Sequence, residues 1–207
     1  MGSAERRERE RQDVRAKILD AARELFVAEG YEAVTMRKIA QKIEYSPTAI
    51  YLHFRDKGAL IQEMASADFQ VFNAQFQRIA RVADPVERLA EAGHVYVDFG
   101  LSHPNHYRLM FTVARPANVE PDAAPKAPGS DGYVFLKATV TACIEAGRLR
   151  PELTDPDLVA QVVWTAVHGL VSLLLIRPGE PRIAWRRPKD IIAAAIDMQI
   201  AGLVRGE

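Results

Sequence analysis

The sequence predicts an all-α protein in two parts: a small helix-turn-helix domain over residues 1–56, joined by a long helix to a larger helical domain over residues 57–207. Three observations predict it. Apolar residues recur at three- and four-residue spacing along most of the chain. No stretch alternates with the two-residue period of a strand. Ser, Thr or Asp stands at one helix start after another, in several cases followed at once by Pro.

Composition narrows the class. An apolar fraction of 48% with 26% charged residues excludes a largely disordered chain. The formal net charge is zero, so any nucleic-acid contact has to come from a local basic patch. The single cysteine, Cys143, leaves no intrachain disulfide to form and reads as a small apolar core residue in a reducing compartment. The N-terminal MGSAERRERERQDVR holds no apolar segment of the kind a secretory signal needs, and a cytoplasmic, nucleoid-associated location is expected. No cofactor is expected.

The elements follow in order. From Val14, the residues Ile18, Ala22, Leu25 and Phe26 trace a first helix that Gly30 ends. The charged run before it reads as a solvated, partly frayed extension, with a DNA-touching arm as the alternative. Thr35 caps a short second helix carrying Ile39, Ala40 and Ile43, and Ser46-Pro47 opens a short third. Asp56 caps a long fourth helix reaching about Ala80, Asp84-Pro85 starts a fifth to about Gly100, and His103-Pro104 opens a short sixth. Four prolines and a glycine over residues 114–131 predict a loop between two helical layers. Beyond it a seventh helix runs from about Tyr133 to Ala146, an eighth starts at Asp155-Pro156, and a ninth covers about Pro188 to Leu203.

The eighth helix, LVAQVVWTAVHGLVSLLLI over residues 158–176, is long and apolar enough to be weighed as a membrane span, but Gln161, His168 and Ser172 interrupt it and no second span accompanies it. No membrane partner is expected. A helix apolar nearly all round has to meet its own domain on one side and another surface elsewhere. Val171, Leu174 and Leu175, with Ile191, Ile192, Ala195 and Ile196 of the ninth helix, are the expected faces of a four-helix homodimer contact through the last two helices.

The most informative stretch is TMRKIAQKIEYSPTAIYLHFRDK, residues 35–57. Ile39 and Ile43 face Ile50 and Phe54 across a turn at Glu44 and Tyr45, with the small Ala40 allowing a close crossing. Such a pair exposes the start of its second helix, which fits the DNA major groove and offers Pro47, Thr48, Ala49 and Leu52 to base edges. Arg37 and Lys38 oppose the dipole of the helix they begin, which becomes favourable if a phosphate sits there. Tyr51, His53 and Lys57 add donors on either side. The alternative is two helices packed in an all-α core with basic residues on a solvated face.

Thr35, Ile39, Ala40, Ser46, Tyr51, His53, Phe54 and Lys57 resemble the N-terminal signature of the tetracycline-repressor-like family of regulators, over about residues 12–60. The resemblance implies that Thr35, Tyr51, His53 and Lys57 bind phosphates while Arg37, Thr48, Ala49 and Leu52 choose bases. It also implies a glycine where this chain has Glu44, so the turn is either strained or reshaped. The implied function is a ligand-responsive repressor that binds a palindromic double-stranded operator as a dimer.

Further along, WTAVHGL over residues 164–170 resembles the Trp-x-x-x-His-Gly motif of a subgroup of C-terminal domains in the same family. Trp164 and His168 share a helical face, and Gly169 would let a neighbouring helix approach. With Tyr96, Phe99, Tyr107, Met110, Phe111 and Phe135 they are candidates to line a site for an apolar or aromatic effector; the alternative is plain core. His94, His103 and His106 raise a metal reading, but no carboxylate or cysteine stands beside them at ligand spacing, and no metal is expected. No catalytic motif occurs, and an enzyme is not expected. A DNA-binding protein without an effector, constitutive or architectural, remains the other reading, and a metal sensor or small-molecule enzyme a further one.

Overall fold

The computed structural model describes residues 3–111, 131–176 and 181–206. Among them run α1 (Ser3–Glu29), α2 (Met36–Lys42), α3 (Pro47–Tyr51), α4 (Lys57–Ile79), α5 (Pro85–Ser102), α6 (Pro104–Phe111), α7 (Gly132–Glu145), α8 (Pro156–Ile176) and α9 (Pro188–Leu203). The all-α architecture is as expected, and the charged N-terminal run is part of α1. Apart from Asp131, the loop expected over residues 114–131 lies outside the described residues.

Helix starts follow local chemistry. The side chains of Thr35, Ser46, Asp56, Asp84, Asp131 and Asp155 each accept from a backbone N–H two or three residues on. These donors have no partner within the helix, and each cap contributes about 1 kcal/mol.

The chain divides into two compact units, Met1–Phe69 with Asn105–Ala123 and Gln70–Pro104 with Ala124–Glu207. In the first, Ile18, Ala22 and Phe26 of α1, Ile39 and Ala40 of α2, Ile50 and Phe54 around α3, Leu60 and Met64 of α4, and Leu109 of α6 form one buried core. Residues 1–56 thus lie in a unit whose core is completed by the first half of α4 and by α6. Charge is buried there too: Asp68 receives Arg23 Nη2 at 2.8 Å and sits 2.9 Å from His106 Nδ1, joining α4 to α1 and α6.

The turn between α2 and α3 keeps the left-handed geometry that a glycine would normally supply. Glu44 has φ +60. Tyr45 N–H reaches back to Ala40 O at 2.9 Å and Glu44 N–H to Gln41 O at 3.2 Å, so the last carbonyls of α2 are satisfied in the manner of a Schellman motif. At the end of α7 the same bonds recur, Arg148 N–H to Cys143 O at 3.0 Å and Gly147 N–H to Ile144 O at 2.9 Å, with glycine at the φ +63 position.

In the second unit α5 packs against α7, α8 and α9. Leu89, Val140, Cys143, Val159, Val163 and Leu203 are among the buried residues of its core. Gly93 gives α9 room, since a Cβ there would stand 3.4 Å from Ile196 Cδ1. An antiparallel bridge between Leu149 and Val204 ties the end of the chain to the α7–α8 connection.

Two residues of the expected outward faces of α8 and α9 require correction. Val171 and Ile196 lie in the interior, whereas Leu174, Leu175, Ile191, Ile192 and Ala195 are half-buried; the exposed apolar residues include Leu158, Val162, Ala166, Gly169 and Leu173 on α8 and Ala194, Met198, Ala201 and Gly202 on α9. An apolar helix carries the same residue types on every side, so periodicity does not tell its own core from an outer face. Gly169 likewise points outward, and a Cβ on it would meet nothing within 4 Å.

Because Glu44 occupies a conformation costly for any residue with a Cβ, Glu44→Gly is expected to stabilise the protein by roughly 0.5 to 1 kcal/mol. The denaturant midpoint measures this. A midpoint that falls instead would show that the chain entropy of glycine outweighs the relieved strain.

Candidate nucleic-acid interface and effector site

α3 is held from one side and open on the other. Ile50 and Phe54 are buried, while Pro47 and Thr48 are exposed, Ala49 is half-buried, Tyr51 is 54% exposed and Leu52 75% exposed. Ser46 caps the helix through Ala49 N–H at 3.2 Å, with Pro47 in the first turn, so its N-terminal end is fixed.

Arg15 was not picked out from the sequence, yet it braces the other end. Its Nη1 donates to His53 O at 3.0 Å, its remaining nitrogens form a forked pair with the Glu63 carboxylate, and its guanidinium lies 4.4 Å from the Phe54 ring centroid. An arginine three residues before the first core position of its helix reads as solvated until its partner, 48 residues away, is known. His53 itself is half-buried with Nδ1 enclosed and unbonded. Burial, and then the charges of Arg11 and Arg15, hold its imidazole below the ordinary histidine range.

The basic residues around α2 divide. Lys38 is paired with Glu29 and Lys42 with Glu24 at 2.8 Å, whereas Arg37 is exposed and has no ion pair among the described residues. Thr35 is spent on its cap to Lys38 N–H. Lys57 Nζ donates to Tyr31 O at 2.6 Å and Val34 O at 3.0 Å and lies 4.0 Å from the Tyr31 ring centroid, so it braces the α1–α2 connection.

In the second unit three expected residues converge. Trp164 Nε1 donates to Tyr96 Oη at 3.1 Å, and that oxygen lies 2.9 Å from His168 Nδ1. Tyr96 is buried, Trp164 is 37% exposed, and burial holds His168 below the usual histidine range. Phe99 and Phe135 join the same unit through two rings the sequence did not single out. Phe72 stands 5.5 Å from Tyr96 and 4.9 Å from Phe99, and Phe76 stands 5.4 Å from Phe135. Their spacing with Phe69 along α4 was the available signal. Tyr107, Met110 and Phe111 belong instead to the first unit, where Tyr107 and Phe111 contact each other at 5.0 Å.

Among the described residues no group of three or more His, Cys, Asp or Glu side chains is arranged to hold a metal. His106 faces Asp68, and His103 stacks on Phe99 at 4.9 Å. Cys143 is fully buried, and burial pushes its thiol up to about 11.

Residues 18–64 match the family described as bacterial regulatory proteins, tetR family, and residues 89–198, more than half of the chain, match the tetracyclin repressor-like C-terminal domain. The HTH-type transcriptional regulator UidR of Escherichia coli (strain K12) is 37% identical over 78 residues, 38% of this chain and 37% of that regulator. The chain therefore spans little more than a third of that curated relative's length. The HTH-type transcriptional repressor KstR2 of Mycobacterium tuberculosis (strain CDC 1551 / Oshkosh) is 23% identical over 194 residues, 88% of this chain and 90% of that protein. Among solved structures, a bacterial regulatory protein in the tetR family from Rhodococcus RHA1 aligns with a TM-score of 0.70 at 20% identity, covering 93% of this chain and 98% of that one. At that identity the likeness speaks for the fold.

Two measurements check the buried groups. Above pH 6.5 His168 is neutral folded or unfolded; below it the unfolded chain takes up the proton first, because the folded pKa is lowered. Stability is therefore expected to fall as the pH drops below 6.5, and less steeply in His168→Gln, with His53 supplying part of the remaining slope. Denaturant midpoints at fixed protein concentration measure both, and equal slopes would overturn the assignment. Cys143 is expected to react with a thiol reagent only as fast as the protein opens, and prompt labelling of the native protein would show the thiol to be accessible.

Proposed function

The chain belongs to the tetR family of bacterial regulatory proteins, and we propose that it is a ligand-responsive transcriptional repressor that binds a palindromic operator as a homodimer and releases it when a small, largely apolar effector binds. One observation carries the DNA reading. α3 presents Leu52 and Tyr51 to the outside while Ile50 and Phe54 are buried, with the Ser46 cap at its start and the Arg15 brace just past its end. Large exposed side chains on a braced element suit a groove that supplies the missing contacts.

In this reading residues 1–56 read DNA and residues 57–207 sense the effector and dimerise. Pro47, Thr48, Ala49 and Leu52 face base edges with Arg37; Tyr51, His53, Lys38 and Lys57 serve phosphates, and Thr35 and Ser46 fix the helix ends that carry them. Dimerisation is assigned to the exposed apolar stripe of α8 and α9, where Gly169 and Gly202 leave space for a close backbone approach. The effector is assigned to the second unit, with the rings of Phe72, Phe76, Phe99 and Phe135 as apolar lining and Tyr96, Trp164 and His168 as the polar group that orients it. We place the protein in the Trp-x-x-x-His-Gly subgroup on the strength of that trio. It is read as a regulator in the cytoplasm, without catalysis of its own.

α4 gives the coupling a physical form. Leu60, Met64 and Asp68 belong to the core of the first unit, while Phe72 and Phe76, further along the same helix, carry the aromatic contacts of the second. An effector that moves Phe72 moves the helix on which the DNA reader is built. To release DNA it has to bind the DNA-incompetent arrangement more tightly, and a coupling of about 1 to 3 kcal/mol weakens the operator by roughly 5- to 150-fold.

Selection from a random duplex library is expected to yield a symmetric motif with half-sites about 34 to 36 Å apart or a little more. Thr48→Ala and Leu52→Ala are expected to change which bases are chosen, and Tyr51→Ala to weaken all sequences alike. Trp164→Phe and His168→Ala are expected to alter the effector response and leave effector-free DNA affinity nearly unchanged. Recovery of no symmetric motif would overturn the DNA reading; loss of DNA binding with early melting in both effector variants would return Trp164 and His168 to the plain core.

A further inference from the structure

α1 begins well before the core it serves. Its first buried residue is Ile18, and residues 5–13 are all exposed, so about three turns of helix project beyond the packed part of the first unit. Nothing in the core of this unit requires them.

Their charges are sorted by face. Arg7, Arg11, Arg15, Ile18 and Ala22 recur at four- and three-residue spacing and share one side of the helix. The orientation of that side is fixed by Arg15, whose Nη1 donates to His53 O just after α3. Arg11 and Arg7 lie about 6 and 12 Å further along the axis on the same side. On the other faces Arg6 pairs with Glu10 at 3.5 Å, while Glu8, at the edge of the arginine side three residues before Arg11, accepts from Gln12 at 2.7 Å. Glu5 lies on those faces as well. Arg7 and Arg11 have no ion pair among the described residues, and the positive charge of Arg11 is felt at His53.

We propose that the first turns of α1 form a second DNA-binding element, in which Arg7 and Arg11 hold backbone phosphates beside the half-site that α3 reads. This rests on the DNA-reading assignment above. The face reaches the end of α3 through the Arg15–His53 contact, and Arg7 and Arg11 on it are flexible cations of the sign that duplex DNA requires. It therefore adds affinity and salt dependence and leaves base choice to α3.

The test uses the full-length protein and a labelled random-sequence duplex, with binding followed by anisotropy over a salt series. Arg7→Gln/Arg11→Gln is expected to flatten the slope of log K against log salt by about 0.9 for each phosphate lost, roughly 3 to 4 for a dimer, and to weaken binding near 0.1 M salt about ten- to a hundredfold. Arg6→Gln/Arg9→Gln, with the same change in charge on the other faces, is expected to change the slope by less than about 1. Base preference in a selected library is expected to stay as in the unchanged protein, and the denaturant midpoint likewise, since neither residue touches the core. If the unchanged protein binds duplex and Tyr51→Ala weakens it while Arg7→Gln/Arg11→Gln keeps the full slope, the second element is refuted and the recognition-helix reading stands. Equal flattening by both double variants refutes it too, because position then has no effect. If the unchanged protein binds no duplex at any salt, the DNA-reading assignment falls and takes this element with it.

Discussion

A helix of five residues has no stability of its own, so everything α3 presents depends on what clasps it from behind. Three contacts do so: the buried Ile50 and Phe54, the Ser46 cap, and the Arg15 side chain. Arg15 is the part that makes the others cooperative. One guanidinium donates to a carbonyl just after α3, forks onto Glu63 of α4 and lies over Phe54, so α1, α3 and α4 share a single rigid, planar group. A lysine could match the charge but not the fork and the stacking together. The exposed face is thereby held by a residue bound just past the end of α3.

The same unit contains a more expensive arrangement. Asp68 is 2% exposed at its side chain, and burying a carboxylate is tolerable only with its partners in place. Arg23 Nη2 at 2.8 Å and His106 Nδ1 at 2.9 Å meet one of its oxygens, and Arg23 Nε reaches the other at 3.3 Å. Arg23 is further held by Asp20 at 2.9 Å. Replacing such a group by apolar residues can be neutral, but removing one partner typically costs about 3 to 5 kcal/mol. A motion of α6 that carried His106 off Asp68 would thus be opposed by the buried charge it leaves behind.

Much of the fold was legible because helix starts are local. Ser46 with Pro47, Asp84 with Pro85 and Asp155 with Pro156 place their caps within the very residues that identify them, and the matching helices begin there. The left-handed turn at Glu44 was legible as a choice between strain and rebuilding, and φ +60 decides for strain. What escaped was pairing over distance. Arg15 with Glu63, and Arg23 with Asp68, join residues 48 and 45 positions apart, and nothing near either arginine marks it as structural. Phe72 and Phe76 escaped for a different reason. α4 serves two cores in succession, and its apolar residues look alike on either side of the change. Val171 and Ile196 were misread as outward because a helix apolar all round offers no contrast from which to choose.

The polar trio in the second unit has a direction that follows from a single proton. An indole N–H can only donate, so Tyr96 Oη accepts from Trp164 and has its own hydrogen left to give. Burial keeps His168 neutral near pH 7, and a neutral imidazole has one nitrogen able to accept. The arrangement that uses every proton therefore runs from Trp164 through Tyr96 to His168 Nδ1, which assigns the imidazole proton to Nε2. The two ends of this chain are consequently unequal. Without the indole N–H, the Tyr96 hydroxyl still donates to His168; without the imidazole, the hydroxyl loses the acceptor it has within the trio while still accepting from Trp164. His168 is thus the acceptor that orients the Tyr96 hydroxyl, and Trp164 the donor that meets its oxygen.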